Sequence, residues 1–231
     1  ADSGNYWIRK VEAATGIIRA VAGTGSVGYG TDGVPATTSQ LALAVGVGVD
    51  GAGNVYVLDY LDSTVRKVNA ITGKTSRVAG NGSAGYSSDG VVAATNPISA
   101  YHMAVDSAGN VYLTEEGNHK VRKISAATGL LSTIAGTGVS GYNGDGIIAT
   151  TARLNSPWGV GVDGAGNVYI SDSSNNRVRK VTISTGLIST VAGNGTSGYN
   201  GDGILATGAR INVPECIVVD AAGNIYFSDR N

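Results

Sequence analysis

A short acidic phrase recurs five times along this chain of 231 residues at an almost constant spacing. Its acids are separated by 57, 56, 57 and 57 residues, and they are Asp2, Asp59, Glu115, Asp172 and Asp229. In a repeat of this length each unit is one supersecondary module, which buries its hydrophobic faces against its neighbours. The period therefore predicts a repeat architecture. It also predicts that a functional site lies where one repeat departs from the others.

Each period contains four short runs of β-favouring residues in a fixed order. In one repeat, an apolar run at 159–163 ends in Asp163, a Gly-Asn turn follows, and a second run occupies 168–171. The acidic phrase leads to a third run at 178–181, a Thr-Gly turn, and a fourth run that closes at Ala192-Gly193. Four strands without a helical period predict an antiparallel meander. The sequence thus predicts an all-β protein made of β-propeller blades.

The same strings resemble a known repeat family. Gly-Val-Gly-Val-Asp at 159–163, Gly-Asn-Val-Tyr at 166–169 and Ser-Asp-Ser-Ser-Asn-Asn-Arg-Val-Arg-Lys at 171–180 resemble the NHL repeat. The long connection at 191–214 resembles the expanded version in bacterial extracellular NHL proteins and in the NHL region of teneurins. The resemblance covers essentially the whole chain. It implies a propeller that serves as an interaction platform, while a few relatives of such propellers are enzymes.

The position of the fifth phrase predicts how the blades are arranged. We expect one domain over 1–231, with repeats at 45–100, 101–157 and 158–213 and a fourth blade shared by 1–44 and 214–231. Its outer strands would come from 6–23 and its inner strands from 216–229, because Asp229 falls in the register of Asp2. This closes a four-bladed ring and removes exposed strand edges. The alternatives are a section of a larger ring, or open ends that meet another copy of the chain.

Composition excludes several classes of protein. Lys and Arg number 16 against 17 Asp and Glu, and the basic residues are spread over the repeats, so we expect no nucleic-acid partner. No apolar stretch is long enough for a membrane span. Low charge and 36 glycines favour an extracellular or cell-surface protein without a signal peptide in this chain. Asn81 and Asn194 lie in glycosylation sequons, although Asn-Gly is also ordinary turn chemistry.

An acid precedes an arginine by seven residues in every repeat. Because adjacent second and third strands would bring these residues together, we predict one structural ion pair per blade rather than a ligand site. The predicted pairs are Asp2 with Arg9, Asp59 with Arg66, Glu115 with Arg122, and Asp172 with Arg179.

The long links between repeats carry a tyrosine and an Asp-Gly pair. The tyrosines, which we interpret as packing groups, are Tyr29, Tyr86, Tyr142 and Tyr199. The aspartates are Asp32, Asp89, Asp145 and Asp202. One aspartate per link is too few for calcium, so we predict that each holds a backbone turn, and we predict no metal or cofactor. The links and the second turns of the blades are expected to share one face.

The first strands should line the axial channel, and their opening residues are where the repeats differ. The variable residues are Tyr101, His102, Trp158, Glu215 and Cys216. One interpretation makes His102, Cys216 and Glu215 metal ligands or a Cys-His pair beside an aromatic wall. An NHL-like amidating lyase holds a metal in its channel, but on a cluster of histidines that this chain lacks. The interpretation we favour is sequence drift at a tolerant position, and we expect His119 to be a solvated turn residue.

We therefore predict a non-catalytic scaffold whose loop-rich face binds a protein partner or supports self-assembly, for example in an extracellular lattice or fibre. The alternative is a propeller that binds carbohydrate or another small molecule by stacking on tyrosine. A lyase or hydrolase acting in the channel ranks third. Link tyrosines that stand free favour sugar binding, and tyrosines folded onto neighbouring links favour a scaffold.

Overall fold

The structure is a computed structural model that describes residues 1–230; Asn231, the last residue of the fifth phrase, lies outside the described residues. The described chain is built of short strands. The strands are β1 (Trp7–Val11), β2 (Ile18–Gly23), β3 (Ala44–Val49), β4 (Val55–Asp59), β5 (Thr64–Val68), β6 (Thr75–Ala79), β7 (His102–Val105), β8 (Val111–Glu115), β9 (Lys120–Ile124), β10 (Leu131–Ala135), β11 (Ile147–Ile148), β12 (Pro157–Val162), β13 (Val168–Asp172), β14 (Arg177–Thr182), β15 (Leu187–Ala192), β16 (Pro214–Val219) and β17 (Ile225–Asp229).

Short 3₁₀ turns occur at two places in the repeat, in the acidic phrase and in the long link. They span Ser3–Asn5, Ala36–Thr38, Ala93–Thr95, Glu116–Asn118, Ala149–Thr151, Ser173–Asn175 and Ala206–Gly208. Among the described residues no helix is long and apolar enough to cross a bilayer.

The strands pair antiparallel in sequence order, which confirms the predicted all-β fold of meandering blades. Two sheets have the orders β3-β4-β5-β6 and β7-β8-β9-β10, and a third has the order β12-β13-β14-β15. In the third sheet β11, which belongs to the preceding link, adds a fifth strand beside β15. In the first sheet the Pro35–Lys74 bridge makes a similar contact. The period of four strands per repeat did not predict this outer strand.

The predicted closure of a four-bladed ring is wrong for this structure. The described strands form five separate sheets, in which β1 and β2 pair only with each other and β16 and β17 likewise. The two pairs therefore do not share a blade. The matching register of Asp2 and Asp229 shows that both follow the same template, but it did not determine that they meet.

The described chain divides into two compact units. The first contains Ala1–Ala100 with the hairpin turns at Ser107–Asn110 and Ile124–Leu131, and the second contains the rest of the described residues. The core of the first unit joins β1 and β2 to the sheet β3–β6. Its buried residues are Ile8, Ala22, Ala36, Leu41, Ala44, Val57 and Val68.

The second unit has two buried clusters, each between successive sheets. One packs Tyr112 and Val121 against Val160 and Val168, with link residues such as Leu154 between them. The other packs the sheet β12–β15 against the pair β16–β17. Its buried residues are Tyr169, Val178, Ala192, Ile211 and Ile217. In both units, therefore, a link residue completes the apolar contact between neighbouring blades.

The first turn of each blade is fixed by a recurring Asp-Asn-Tyr group. The Asp50 carboxylate accepts hydrogen bonds from the Asn54 amide and from the Tyr56 hydroxyl, at 2.7 and 3.1 Å. The Asn54 side-chain oxygen in turn accepts the backbone N–H of Ala70 in the Thr-Gly turn. Burial opposes the charge on Asp50, but these hydrogen bonds outweigh it and lower the pKa of the carboxyl group. One side chain thus ties both turns at this end of the blade.

Candidate functional site

In each unit, a long link packs on the turn between the second and third strands of the following blade. In the second unit the Asn175 amide donates to the Gly141 carbonyl at 2.7 Å, and the Arg177 guanidinium lies 3.9 Å from the Tyr142 ring centroid. In the first unit Arg66 donates to the Gly30 carbonyl at 2.5 Å. We call the surface that these links and turns make in each unit the link face of that unit.

Buried arginines anchor the link face to the sheets. Arg122 lies 3.2 Å from Glu115, and Arg179 lies 3.4 Å from Asp172; all four side chains are fully buried. Burial raises the pKa of Glu115, against the opposing effect of Arg122. It raises the pKa of Asp172 to about 6, although Asn175, the Asn155 backbone and Arg179 hydrogen-bond the carboxylate. Arg9 and Asp2 are 3.6 Å apart and partly exposed.

The predicted pair of Asp59 with Arg66 requires correction. Arg66 contacts Asp62 at 3.4 Å and Asp32 at 2.6 Å. The Asp59 carboxylate accepts the backbone N–H groups of Ala42 and Leu43, at 2.8 and 2.7 Å. This turn contains a second acid, Asp62, which lies four residues before Arg66. Asp62 takes the place of Asp59 as the partner of this arginine.

The role predicted for the link aspartates also changes. Asp32 and Asp145 each give a carboxylate oxygen to the buried arginine of the next blade, Arg66 and Arg179, at 2.6 and 2.9 Å. These carboxylates therefore pair with arginine, in place of the backbone turn that the sequence predicted. Each of these arginines therefore pairs with one acid of its own blade and with one acid of the preceding link. The seven-residue spacing alone did not predict the second contact.

The four link tyrosines are all exposed, to different degrees. Tyr142 lies beneath both Arg177 and Arg179, with the second guanidinium 4.9 Å from its ring centroid. Tyr29, Tyr86 and Tyr199 also present their rings to solvent. The hydrogen bond from Tyr199 to the Asp202 carboxylate raises the pKa of this phenol. Tyr142 thus behaves as a packing group, whereas Tyr29 and Tyr199 are the most exposed of the four.

Of the residues that break the period, two form an aromatic pair in the second unit. The ring centroids of Tyr101 and Trp158 are 5.1 Å apart, with an interplanar angle of 40°. The Trp158 carbonyl accepts the Thr114 hydroxyl at 2.6 Å, which fixes its strand beside β8. The pair is a tilted aromatic contact of the kind that stabilises packing.

The other three residues have separate environments. His102 is largely buried, its Nδ1 has no hydrogen-bond partner among the described residues, and burial lowers its pKa. Glu215 forms an ion pair with Arg230 at 2.8 Å, and Cys216 is exposed. Within residues 1–230 no group of three or more His, Cys, Asp or Glu side chains could hold a metal ion.

His119 has a structural role that the sequence did not reveal. Its Nδ1 accepts the backbone N–H of Ser156 at 3.1 Å. One repeat later, the Asn176 side-chain oxygen accepts the N–H of Val213 at the same distance. His119 thus replaces an asparagine as the acceptor that holds the end of a link. The sequence could have indicated this role, because His119 and Asn176 lie at the same position in successive repeats.

Among the described residues, the link face of each unit has a shallow cavity. A cavity of about 210 Å³ in the first unit is lined by Tyr60, Leu61, Ser63, Ala84 and Ala100. A more polar one of about 230 Å³ in the second unit includes Tyr142 and Arg177. Neither contains the residues that break the period, so the concave parts of this face are built from repeat positions.

Comparisons with known proteins agree with this repeat structure. The family model for the NHL repeat matches residues 154–181. The chain is 28% identical to Protein SUPPRESSOR OF QUENCHING 1, chloroplastic, of Arabidopsis thaliana over 195 residues, which are 80% of this chain and 18% of that protein. It is 30% identical to Teneurin-1 of Gallus gallus over 159 residues, 59% of this chain and 6% of that one. The match therefore spans a small part of each relative.

Solved structures show the same fold. A Bacteroides thetaiotaomicron protein of unknown function matches 98% of this chain and 52% of its own, with a TM-score of 0.69 and 22% identity. An auxiliary nutrient binding protein from the same organism matches 94% of this chain and 49% of its own, with a TM-score of 0.61 and 21% identity. The chain spans about half the length of these structures. At this identity the likeness concerns the fold alone.

Proposed function

The chain belongs to the NHL-repeat β-propeller family, and we propose that it is a non-catalytic scaffold that binds a protein partner through its link face. One observation carries the proposal: large apolar and tyrosine side chains are exposed on the links and second turns. They are Val27, Tyr29, Leu61, Tyr86, Val139 and Tyr199. Tyrosine and aliphatic anchors surrounded by few charges are typical of protein interfaces.

The period-breaking residues support a non-catalytic role. Tyr101 and Trp158 contact each other, and Glu215 is engaged by Arg230. A nucleophile needs a base within hydrogen-bond reach, and Cys216 has an exposed position on the pair β16–β17. The scaffold proposal therefore needs no chemistry from these residues.

A carbohydrate or other small nutrient is the second candidate ligand. The exposed rings of Tyr29 and Tyr199 could stack on sugar rings, and the cavity beside Leu61 is shallow enough for a chain end. Two structural neighbours from Bacteroides are auxiliary nutrient binding proteins. The stacking of Tyr142 beneath Arg177 and the aliphatic side chains beside the links favour a protein partner over this alternative.

We further propose that the protein works outside the cell or at its surface. The low charged fraction, 14%, and the teneurin relatives support this location. The plant relative carries a chloroplast designation, so an organellar location is the competing proposal.

The test compares substitutions on the link face of the first unit with a substitution in a Thr-Gly turn of the same unit. Tyr29→Ala and Tyr86→Ala remove exposed rings from the link face. Ile71→Ala removes an exposed side chain from the Thr-Gly turn at the opposite end of β5. Partners would be captured from the surface fraction of the source cells with a photoreactive group at position 29, and their affinity measured with the purified chain. A glycan array tests the second candidate in parallel.

We expect the tyrosine substitutions to weaken protein binding by about tenfold or more, because aromatic anchors dominate interfaces, and Ile71→Ala to leave it unchanged. Equal effects at both ends would contradict the link-face proposal. Saturable glycan binding that depends on Tyr29 would show that the ligand is a carbohydrate and not a protein.

A further inference from the structure

Asn-Gly pairs occur at four places in the chain, all of them in the long links. By repeat position they form two matched sets, in which Asn81 corresponds to Asn194 and Asn143 corresponds to Asn200. All four asparagines are exposed. Such a pair can react without an enzyme, because glycine has no side chain to keep its backbone nitrogen away from the preceding side-chain amide. Four chemically identical pairs thus differ in how the fold restrains them.

We propose that Asn81 is a site of spontaneous covalent modification, at which the side-chain amide is converted to a carboxylate. The Gly82 backbone nitrogen attacks the Asn81 Cγ, so that a Cγ–N bond forms and the Cγ–Nδ2 bond breaks. The amide group leaves as ammonia and takes with it the proton of the Gly82 N–H. Water then opens the cyclic imide. Cleavage at Cγ gives an aspartyl residue, and cleavage at the backbone carbonyl gives an isoaspartyl linkage.

The turn at Asn81 brings the two reacting atoms into one small ring. The Asn81 Oδ1 accepts the backbone N–H of Ser83 at 3.0 Å, which forms an Asx turn. The ring that this hydrogen bond closes contains both the Asn81 Cγ and the Gly82 nitrogen. The same N–H stabilises the negative charge that develops on Oδ1 when the nitrogen attacks. The hydrogen bond on the carbonyl oxygen therefore assists the reaction.

The leaving group and the backbone of Asn81 are unrestrained. Neither its Nδ2 nor its backbone N–H has a hydrogen-bond partner within residues 1–230. A Cβ on Gly82 would meet nothing within 4 Å, so the space around the attacking nitrogen is open to water. The amide can therefore leave, and the backbone can rotate, without the loss of another contact.

Asn194 forms the same turn but is held in place by three further hydrogen bonds. Its Oδ1 accepts the Thr196 N–H at 2.8 Å. Its Nδ2 donates to the Gly208 carbonyl at 3.2 Å, and its backbone N–H donates to the Ala209 carbonyl at 2.9 Å. The Arg177 guanidinium donates to its backbone carbonyl at 2.9 Å. Both the leaving group and the backbone of Asn194 are thus restrained.

The second matched set is restrained at both ends of the side-chain amide. The Asn143 Oδ1 accepts the Arg153 N–H at 2.8 Å, and its Nδ2 donates to the Thr151 carbonyl at 3.0 Å. Asn200 makes the corresponding two contacts within its own link, at 2.7 and 3.2 Å. To present Cγ to the next nitrogen, each side chain must first give up these hydrogen bonds. Asn81 is therefore the most reactive of the four.

The modification would place a new charge beside the cavity of the first unit. Asn81 precedes Ala84 by three residues, and Ala84 lines this cavity together with Tyr60 and Leu61. The stretch 81–88 contains no charged residue, so the carboxylate would be its first charge. The effect of this charge on a binding partner rests on the proposed function, whereas the modification itself does not.

Peptide mapping by mass spectrometry of the folded chain, incubated at neutral and at mildly alkaline pH, tests the assignment. We expect conversion at Asn81 to be at least about tenfold faster than at the other three asparagines, since those must first release hydrogen bonds. The rate should rise with pH, because the Gly82 nitrogen must lose its proton. Similar rates at all four pairs, or a faster reaction at another pair, would overturn the proposal.

The same chain unfolded in urea is the control for local sequence. All four pairs should then react at similar rates, because each asparagine precedes a glycine and the fold no longer restrains any of them. If Asn81 were faster by the same factor in the unfolded chain, the fold would not be the cause and the proposal would be wrong.

A variant in the second unit tests the restraint itself. Arg177→Ala removes one of the hydrogen bonds that hold Asn194, and it should raise the rate at Asn194 severalfold while the rate at Asn81 does not change. The matched control is Arg210→Ala, which removes an exposed arginine side chain from the link of the same unit. Chemical denaturation checks that both variants are folded. An unchanged rate at Asn194 in a folded Arg177→Ala chain would overturn the proposal.

Discussion

Among single residues, the buried carboxylates predict how the free energy of unfolding depends on pH. Burial raises the pKa of Asp172 to about 6, whereas the ordinary value is 3.8. Between these values the folded chain binds a proton that the unfolded chain does not bind. The free energy of unfolding should therefore fall by about 3 kcal/mol as the pH rises from about 4 to about 6, since each pKa unit corresponds to about 1.4 kcal/mol.

Asp172→Asn should remove this part of the pH dependence, and chemical denaturation of both proteins from pH 4 to pH 7 measures it. The control is Asp163→Asn. Hydrogen bonds from Asn167 and Tyr169 outweigh burial and lower the pKa of Asp163, so its contribution is present at high pH and lost as the pH falls. If the two substitutions changed the pH profile in the same direction, the assigned environments would be wrong.

The ion pairs also show what sequence can predict about a residue. The seven-residue spacing placed Glu115 with Arg122 because strand pairing fixes which residues face each other across a turn. It failed for Arg66, since Asp62 reaches that arginine from within the turn. Nor could it identify Asp32 as a partner, because a contact from a long link depends on the path of that link in space.

At the scale of elements, the glycine that ends each fourth strand is a backbone requirement. Gly80 has φ +83°, and a Cβ there would collide with the Ser63 carbonyl. Gly82 has φ +93°, and a Cβ there would meet nothing within 4 Å. Gly82→Ala should cost about 1–2 kcal/mol from the left-handed conformation alone. Gly80→Ala should cost a further 1–3 kcal/mol for the enforced shift of the chain.

The two substitutions can be compared by thermal or chemical denaturation under identical conditions. Equal losses would show that the approach of Gly80 to the third strand is looser than described. The repeated Ala-Gly ending was visible in the sequence. The close approach of the Ser63 backbone was not, because it depends on how the fourth strand leaves the sheet.

Periodicity was sufficient to predict the blades but not their number or closure. The alternation of apolar residues and turn signals is local, so it predicted the order of strands in every repeat. The extra outer strand β11 is only two residues long and lies in a glycine-rich link, so the pattern of four strands per repeat did not predict it. The candidate site shows the same limit: Tyr101 and Trp158 were found as departures from the period, while their mutual contact is a property of the packed sheets.

For the molecule as a whole, one blade template accounts for the three complete sheets among the described residues and for the strand pairs β1–β2 and β16–β17. In each complete sheet the second-strand tyrosine lies beside a third-strand lysine, whose ammonium is 5.1–5.5 Å from the ring centroid. The hydroxyl of the same tyrosine donates to the aspartate that fixes the first turn.

Chemical denaturation of Tyr56→Phe and Tyr169→Phe tests whether one template holds different blades. Each substitution removes a hydroxyl that donates to the first-turn aspartate at 3.1 Å. We predict that both lower the free energy of unfolding by a similar amount, about 1 kcal/mol. A loss confined to one of the two sheets would contradict the single template.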